Sequence, residues 1–191
     1  TVKGKKVYGE YSANWNTATN PQACKGLKVS SVGTDSVKLS WKKVTDADSY
    51  AIYRYDNTSK KWQRIKTVKA VSFTDSGLAR AKGYSYKVKA VKKSGGKEYI
   101  SASSSKAVEA VTKPAKASCT AKSAGSGSIE VSWKAVGGAS GYEIYSSSNG
   151  SDYVKSAKVG GSHKSAIVSG FEPYSLRMVK VRAYKTVNGK T

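Results

Sequence analysis

The sequence predicts an all-β protein of two tandem β-sandwiches, on three observations: an internal repeat, an apolar period of two, and Gly-, Asn- and Ser-rich turns between short runs. The repeat is direct. Ser36-Val-Lys-Leu-Ser-Trp41-Lys-Lys-Val44 returns as Ser128-Ile-Glu-Val-Ser-Trp133-Lys-Ala-Val136, an offset of 92 residues. Tyr50-Ala-Ile-Tyr53 returns as Tyr142-Glu-Ile-Tyr145 at the same offset, and Tyr86-Lys-Val-Lys-Ala90 as Val179-Lys-Val-Arg-Ala183 at 93. A unit of about 92 residues is the size at which one hydrophobic core closes.

Within each unit, Val37, Leu39 and Trp41 alternate with Lys38 and Ser40, as Ile129, Val131 and Trp133 alternate with Glu130 and Ser132. In a strand successive side chains point to opposite faces, so this period marks half-buried strands. The same alternation at Tyr84, Tyr86, Val88 and Ala90 marks another. Expected strands of the first unit are 25–30, 36–42, 49–56, 62–68, 71–75, 84–92 and 99–110, and no amphipathic helix competes with them. Seven short strands fit a two-sheet sandwich with each sheet wet on its outer side. Asp56-Asn-Thr-Ser-Lys60 and Ser147-Ser-Asn-Gly150 supply hairpin loops, while Ser94-Gly-Gly96 and Asn188-Gly189 supply residues that accept positive φ.

The opening residues match the end of a unit, since Thr1-Val-Lys-Gly-Lys5 is similar to Thr186-Val-Asn-Gly-Lys190. Residues 1–19 therefore read as the last strand of a preceding unit, 20–112 as the first full domain, and 113–191 as a second that stops before its last strand. Val111-Thr-Lys-Pro114 is the expected joint, short enough to limit bending. The orphan strand, around residues 7–17, is expected to pair with the open edge of the second domain in another copy, a strand-donating self-association.

Together these residues resemble a tandem of fibronectin type III domains, of the kind repeated in secreted or surface proteins of Gram-positive bacteria. Carrying the resemblance are Trp41 and Trp133 on the second strand, Tyr50-x-Ile52 and Tyr142-x-Ile144 on the third, and Leu78-x5-Tyr84-x-Tyr86-x-Val88-x-Ala90. The last run is similar to the family's tyrosine corner and implies a structural role for Tyr84, with Trp41, Trp133, Tyr50 and Tyr142 as structural core residues. The second unit departs, because Arg177 stands where that tyrosine is expected; either Tyr174 substitutes from a shifted position or the corner is weakened. The resemblance implies an extracellular or cell-surface location and a non-catalytic spacer or interaction role, with adhesion among the family's uses. It gives no support to Arg-Gly-Asp-mediated attachment, since that tripeptide is absent.

Chemistry is restricted by composition. A single histidine, His163, and two cysteines leave no multi-histidine or four-ligand metal set, and no cofactor is expected. Cys119 precedes Trp133 by 14 residues as Leu27 precedes Trp41, so it reads as a small core hydrophobe; Cys24 falls near the domain entrance, and both thiols are expected free. His163 sits in a Gly-Gly-Ser-His-Lys-Ser loop without a recognisable partner, and Asp46 and Asp48 suit a turn better than a catalytic pair. No enzyme activity is expected.

Charge gives the remaining signal. The chain holds 34 Lys and Arg against 12 Asp and Glu, a net +22 divided between both units, and Lys dominates. Such a field favours polyanions and salt-sensitive association. If Ile52 and Val88 face inward, then Tyr53, Tyr55, Lys87 and Lys89 share an outer sheet face, and Tyr145, Lys180, Arg182 and Tyr184 share its counterpart. These eight residues are the candidate face for an anionic cell-wall polymer or carbohydrate, against the alternative that they only stabilise and solubilise a wet sheet. Non-specific polyanion binding is expected; sequence-specific nucleic-acid recognition is not, because it favours the planar arginine fork. No run of apolar residues reaches the length of a membrane span.

Overall fold

The computed structural model describes residues 8–13, 19–187 and 189, and these contain fourteen strands and no helix. In the first sandwich β1 (Lys28–Val32), β2 (Ser36–Ser40) and β5 (Ser72–Ser76) form one sheet in the order β1-β2-β5. The other sheet joins β4 (Lys61–Val68), β3 (Ser49–Asp56), β6 (Gly83–Ser94) and β7 (Lys97–Ile100), with β8 (Val108–Val111) also on β6. All pairings are antiparallel. The second sandwich repeats this with β9 (Cys119–Gly125), β10 (Ser128–Trp133) and β13 (Ser165–Ser169) facing β12 (Val154–Gly160), β11 (Gly141–Ser147) and β14 (Met178–Tyr184).

Alternation places the cores. Val37 and Leu39 of β2, Trp41, Tyr50 and Ile52 of β3, and Tyr86, Val88 and Ala90 of β6 are buried in one cluster. Val131, Trp133, Tyr142, Ile144, Val168 and Val181 form the second. In both cores the tryptophan meets the tyrosine of the next strand, with ring centroids 5.4 Å apart for Trp41 and Tyr50 and 5.1 Å for Trp133 and Tyr142. Each tyrosine hydroxyl then accepts a loop amide, Val44 N–H at 2.9 Å and Val136 N–H at 2.8 Å. Burying the ring and pairing its polar tip satisfies both halves of the side chain. A register shift also recurs, between Ile52 and Tyr53 against β4 and between Ile144 and Tyr145 against β12.

The expected strand at 99–110 is broken in two. β7 ends at Ile100, β8 begins at Val108, and residues 101–107 run past β6 without regular pairing. Serine is the reason, since its hydroxyl competes with the backbone for ladder partners. Ser105 Oγ accepts from Val88 N–H at 3.0 Å and Ser101 Oγ from Ala90 N–H at 3.2 Å. Their own amides return to Val88 O and Ala90 O, both at 2.9 Å. The first strand runs over Lys28–Val32 rather than 25–30, and Cys24, expected near the domain entrance, is buried in the first core.

The sandwiches are joined through Thr112, which is fully buried. Its hydroxyl donates to Ala79 O at 2.7 Å and accepts Lys82 N–H at 3.0 Å, while its amide donates to Lys82 O at 3.0 Å. The joint is thereby pinned to the loop preceding β6, and Lys113 N–H continues the anchor to Gly33 O at 2.9 Å. Of the orphan strand expected at residues 7–17, residues 7 and 14–17 lie outside the described residues; residues 8–13 are exposed and in no strand.

Candidate functional site

In the second sandwich the outer face of β12-β11-β14 gathers cations and rings around one carboxylate. Register sets this: Tyr145 lies between Lys155 and Lys180, Glu143 between Lys158 and Arg182, and Gly141 between Gly160 and Tyr184. Glu143 takes two contacts from Arg182, Nε and Nη2, each at 2.7 Å, one from Tyr145 Oη at 3.1 Å and one from Lys155 Nζ at 3.4 Å. The Arg182 hydrogen bond holds the Glu143 carboxyl below its ordinary range despite opposing desolvation, and Glu143 in turn raises Arg182.

Three rings on this face each carry a cation. Lys180 Nζ lies 3.4 Å from the Tyr153 centroid, Lys158 Nζ 4.7 Å from Tyr184, and the Arg182 guanidinium carbon 5.0 Å from Tyr145. Gly141 makes one of these possible. A Cβ there would overlap the Tyr184 hydroxyl and Cζ and the Val159 carbonyl, so only glycine lets this ring cross the strand. Lys155, Lys158, Lys180 and Arg182 are exposed, whereas Glu143 is buried.

The equivalent face of the first sandwich is arranged differently. Tyr53 stands opposite Lys87 on β6 and Arg64 on β4, and Tyr55 opposite Trp62. Tyr55 and Trp62 meet edge to face at 5.3 Å, and Lys87 Nζ sits 4.5 Å from the Trp62 centroid. Lys89 Nζ is held by Ala102 O at 3.1 Å, in the serine-rich segment that covers β6. Tyr53, Tyr55, Lys87 and Lys89 are all half-buried, so this face offers less free charge.

The structural candidates have defined partners. Tyr84 Oη accepts Ala79 N–H at 2.8 Å, closing the turn before β6. In the second sandwich no tyrosine takes that place: Tyr174 is fully exposed, and Arg177 stacks on Phe171 with its guanidinium carbon 5.0 Å from the ring centroid. The first sandwich also holds a polar triad unmatched in the second, with Arg54 Nη1 at 2.7 Å and Tyr86 Oη at 2.9 Å from Asp75 Oδ2. It links β3, β5 and β6 across both sheets, and desolvation with the Asp75 contact raises Tyr86 strongly.

His163, Asp46 and Asp48 lie in loops. His163 is exposed, contributing its carbonyl to Trp133 Nε1 at 3.1 Å. Asp46 is exposed, and Asp48 accepts Lys93 N–H at 2.7 Å and Lys92 Nζ at 3.1 Å, which lower its pKa. Among the described residues no group of three or more His, Cys, Asp or Glu is placed to hold a metal, and both cysteines are free. An open pocket of about 490 Å³ lies between the β9–β10 turn and the loop bearing Tyr174. A groove of about 710 Å³ runs between the joint and the outer edge of β14.

Trp62, Arg64, Glu143, Tyr153, Lys155 and Lys158 join the faces without having been singled out in the sequence. Alternation was the available signal: on the central β11 it turns Glu143 outward beside inward Ile144, while register shifts interrupt it on β4 and β12 and Tyr153 lies just before β12.

Residues 19–106 match the family model of the fibronectin type III domain. The architecture of the chain is accordingly all-β, made of fibronectin type III-like sandwiches. A poly(3-hydroxybutyrate) depolymerase of Ralstonia pickettii is 40% identical over 118 residues, which is 62% of this chain and 22% of that protein. The chain thus covers less than a quarter of that relative's length. Among solved structures, a two-domain fibronectin type III segment of chicken tenascin is 19% identical, over 85% of this chain and 91% of that one, with a TM-score of 0.48. The fibronectin type III domain of human fibronectin type III domain containing protein 3 is 19% identical over 53% of this chain and 94% of its own, with a TM-score of 0.44.

Proposed function

We propose that the chain is a non-catalytic spacer and interaction module of a larger secreted or cell-surface bacterial protein. The supporting observation is the 118-residue likeness that amounts to 22% of a bacterial depolymerase, alongside two sandwiches in which the buried carboxylates Asp75 and Glu143 are taken up by structural contacts. Spacing is the first role. Thr112 ties the joint to the first sandwich, which limits its bending. The intact chain, incubated with poly(3-hydroxybutyrate) film and soluble esters, is expected to release no hydroxy acid, and small-angle scattering is expected to give an elongated particle. Hydrolysis by the purified chain, or a compact particle with the sandwiches folded together, contradicts the reading.

One observation favours strand pairing as a second reading. β6 is flanked by β3 on one side and by β7 and β8 on the other, but β14 pairs with β11 alone among the described residues. An unpaired edge is a template for an incoming strand, and residues 7–17 of another copy have the length to fill it. Light scattering at low and high salt is expected to give a salt-resistant oligomer that is lost on deletion of residues 1–19; a monomer at both salts excludes it.

A further inference from the structure

We infer that the outer face of β12-β11-β14 docks a linear phosphodiester polymer of the polyol-phosphate type, gripped by Lys155, Lys158 and Lys180. The inference goes beyond the spacer reading and does not depend on it. A tyrosine-rich basic face has three obvious ligand chemistries: sugars or bases stacked on rings, carboxylates in arginine forks, and phosphates on ammonium groups. The geometry separates them.

Stacking needs a free ring face, and a cation already lies over each of these rings. Tyr184 lies on Gly141 with Lys158 over it, Lys180 covers Tyr153 at 3.4 Å, and Arg182 covers Tyr145 at 5.0 Å. A planar carboxylate is matched best by a guanidinium fork. Arg182, the one guanidinium on this face, already spends Nε and Nη2 on Glu143. The three lysines are exposed, Lys155 with one longer contact to Glu143 at 3.4 Å, and each is an ammonium with three rotatable donors that suits a tetrahedral oxyanion approached from any side. Resting Lys158 and Lys180 on rings restricts long side chains before the ligand arrives, which lowers the ordering cost of binding. Glu143 keeps the sheet from self-repulsion yet leaves the face cationic, with four basic groups against one carboxylate.

The test uses the intact chain titrated with polymeric glycerol phosphate and with long-chain inorganic polyphosphate. Poly(glutamate), single-stranded DNA and a neutral β-glucan of similar length form the comparison arms. Replacing Lys155, Lys158 and Lys180 together by Ala is expected to weaken binding of polymeric glycerol phosphate about tenfold or more and to reduce the salt slope by about 2, as the loss of three flexible-chain phosphate contacts requires. The exposed set Lys43, Lys69 and Lys106, changed to Ala, is expected to cost less than about threefold. Replacing the first set by Arg, which keeps charge, guards against a folding defect and is expected to keep binding within about threefold. Equal losses from the two alanine sets reduce the effect to diffuse charge and overturn the proposal. Tighter binding to poly(glutamate), to DNA per phosphate, or to the neutral glucan overturns it as well.

Discussion

Tyr84 and Tyr86 sit two residues apart on β6 and solve different problems. Tyr84 is half-buried and closes a turn through one backbone amide, so Tyr84→Phe is expected to cost about 1 kcal/mol in denaturant unfolding. Tyr86 is fully buried and donates to the carboxylate that also holds Arg54. Asp75→Ala is expected to cost more, about 3 kcal/mol, because it strands both the buried hydroxyl and a guanidinium. A larger loss from Tyr84→Phe than from Asp75→Ala would reverse this ranking. Cys24 adds a pH signature. Burial pushes its thiol from 9.0 up to about 11, so the folded state keeps a proton that the unfolded chain releases. The associated stability is complete below pH 9.0 and is lost as pH rises through about 11. Unfolding measured across that window is expected to fall less steeply for Cys24→Ala than for the unchanged protein; parallel curves would remove the thiol as the cause.

At the scale of the strand, β6 and β14 make a controlled comparison. Val88 and Ala90 share their register on β3 with Val181 and Ala183 on β11. The amides of the first pair reach Ser105 and Ser101, so those of the second point to the same side of their sheet, where no partner lies among the described residues. Hydrogen exchange is expected to protect Val88 and Ala90 strongly and Val181 and Ala183 weakly; equal protection would mean that β14 has acquired a covering strand. These elements also show which features the sequence discloses. β2 and β10 follow from period two because their inner positions, such as Val37, Leu39 and Val131, are apolar and their outer ones polar, whereas β5 buries Asp75 and β3 carries Tyr53 and Tyr55 outward. The break between β7 and β8 did not follow, since apolar Tyr99, Ile100, Ala107 and Val108 bracket serines whose hydroxyls replace ladder bonds only once β6 is alongside. The outer face was legible for Tyr145, Lys180, Arg182 and Tyr184, which obey alternation on their own strands. Tyr153 was not, because it precedes β12, nor was Lys158, because the register shift sets it three residues from Lys155 on the same face.

Across the whole molecule, two separate cores are joined by a segment fixed to one of them. Thr112→Val removes the hydroxyl that bonds Ala79 and Lys82 and is expected to loosen the joint with little effect on either core. Small-angle scattering is expected to report a broader distance distribution for that variant at unchanged mass; an identical profile would place the stiffness elsewhere. Net charge of +22 ensures some attraction to any polyanion, so affinity alone does not identify a binding surface. Location does. The most direct measurement is therefore a backbone amide NMR titration of the intact chain with polymeric glycerol phosphate at physiological salt. Shifts concentrated on β11, β12 and β14, and near Lys155, Lys158 and Lys180 above all, are the expected result. Shifts spread evenly over the lysines of both sandwiches, or centred on Tyr53 and Lys87, would contradict it.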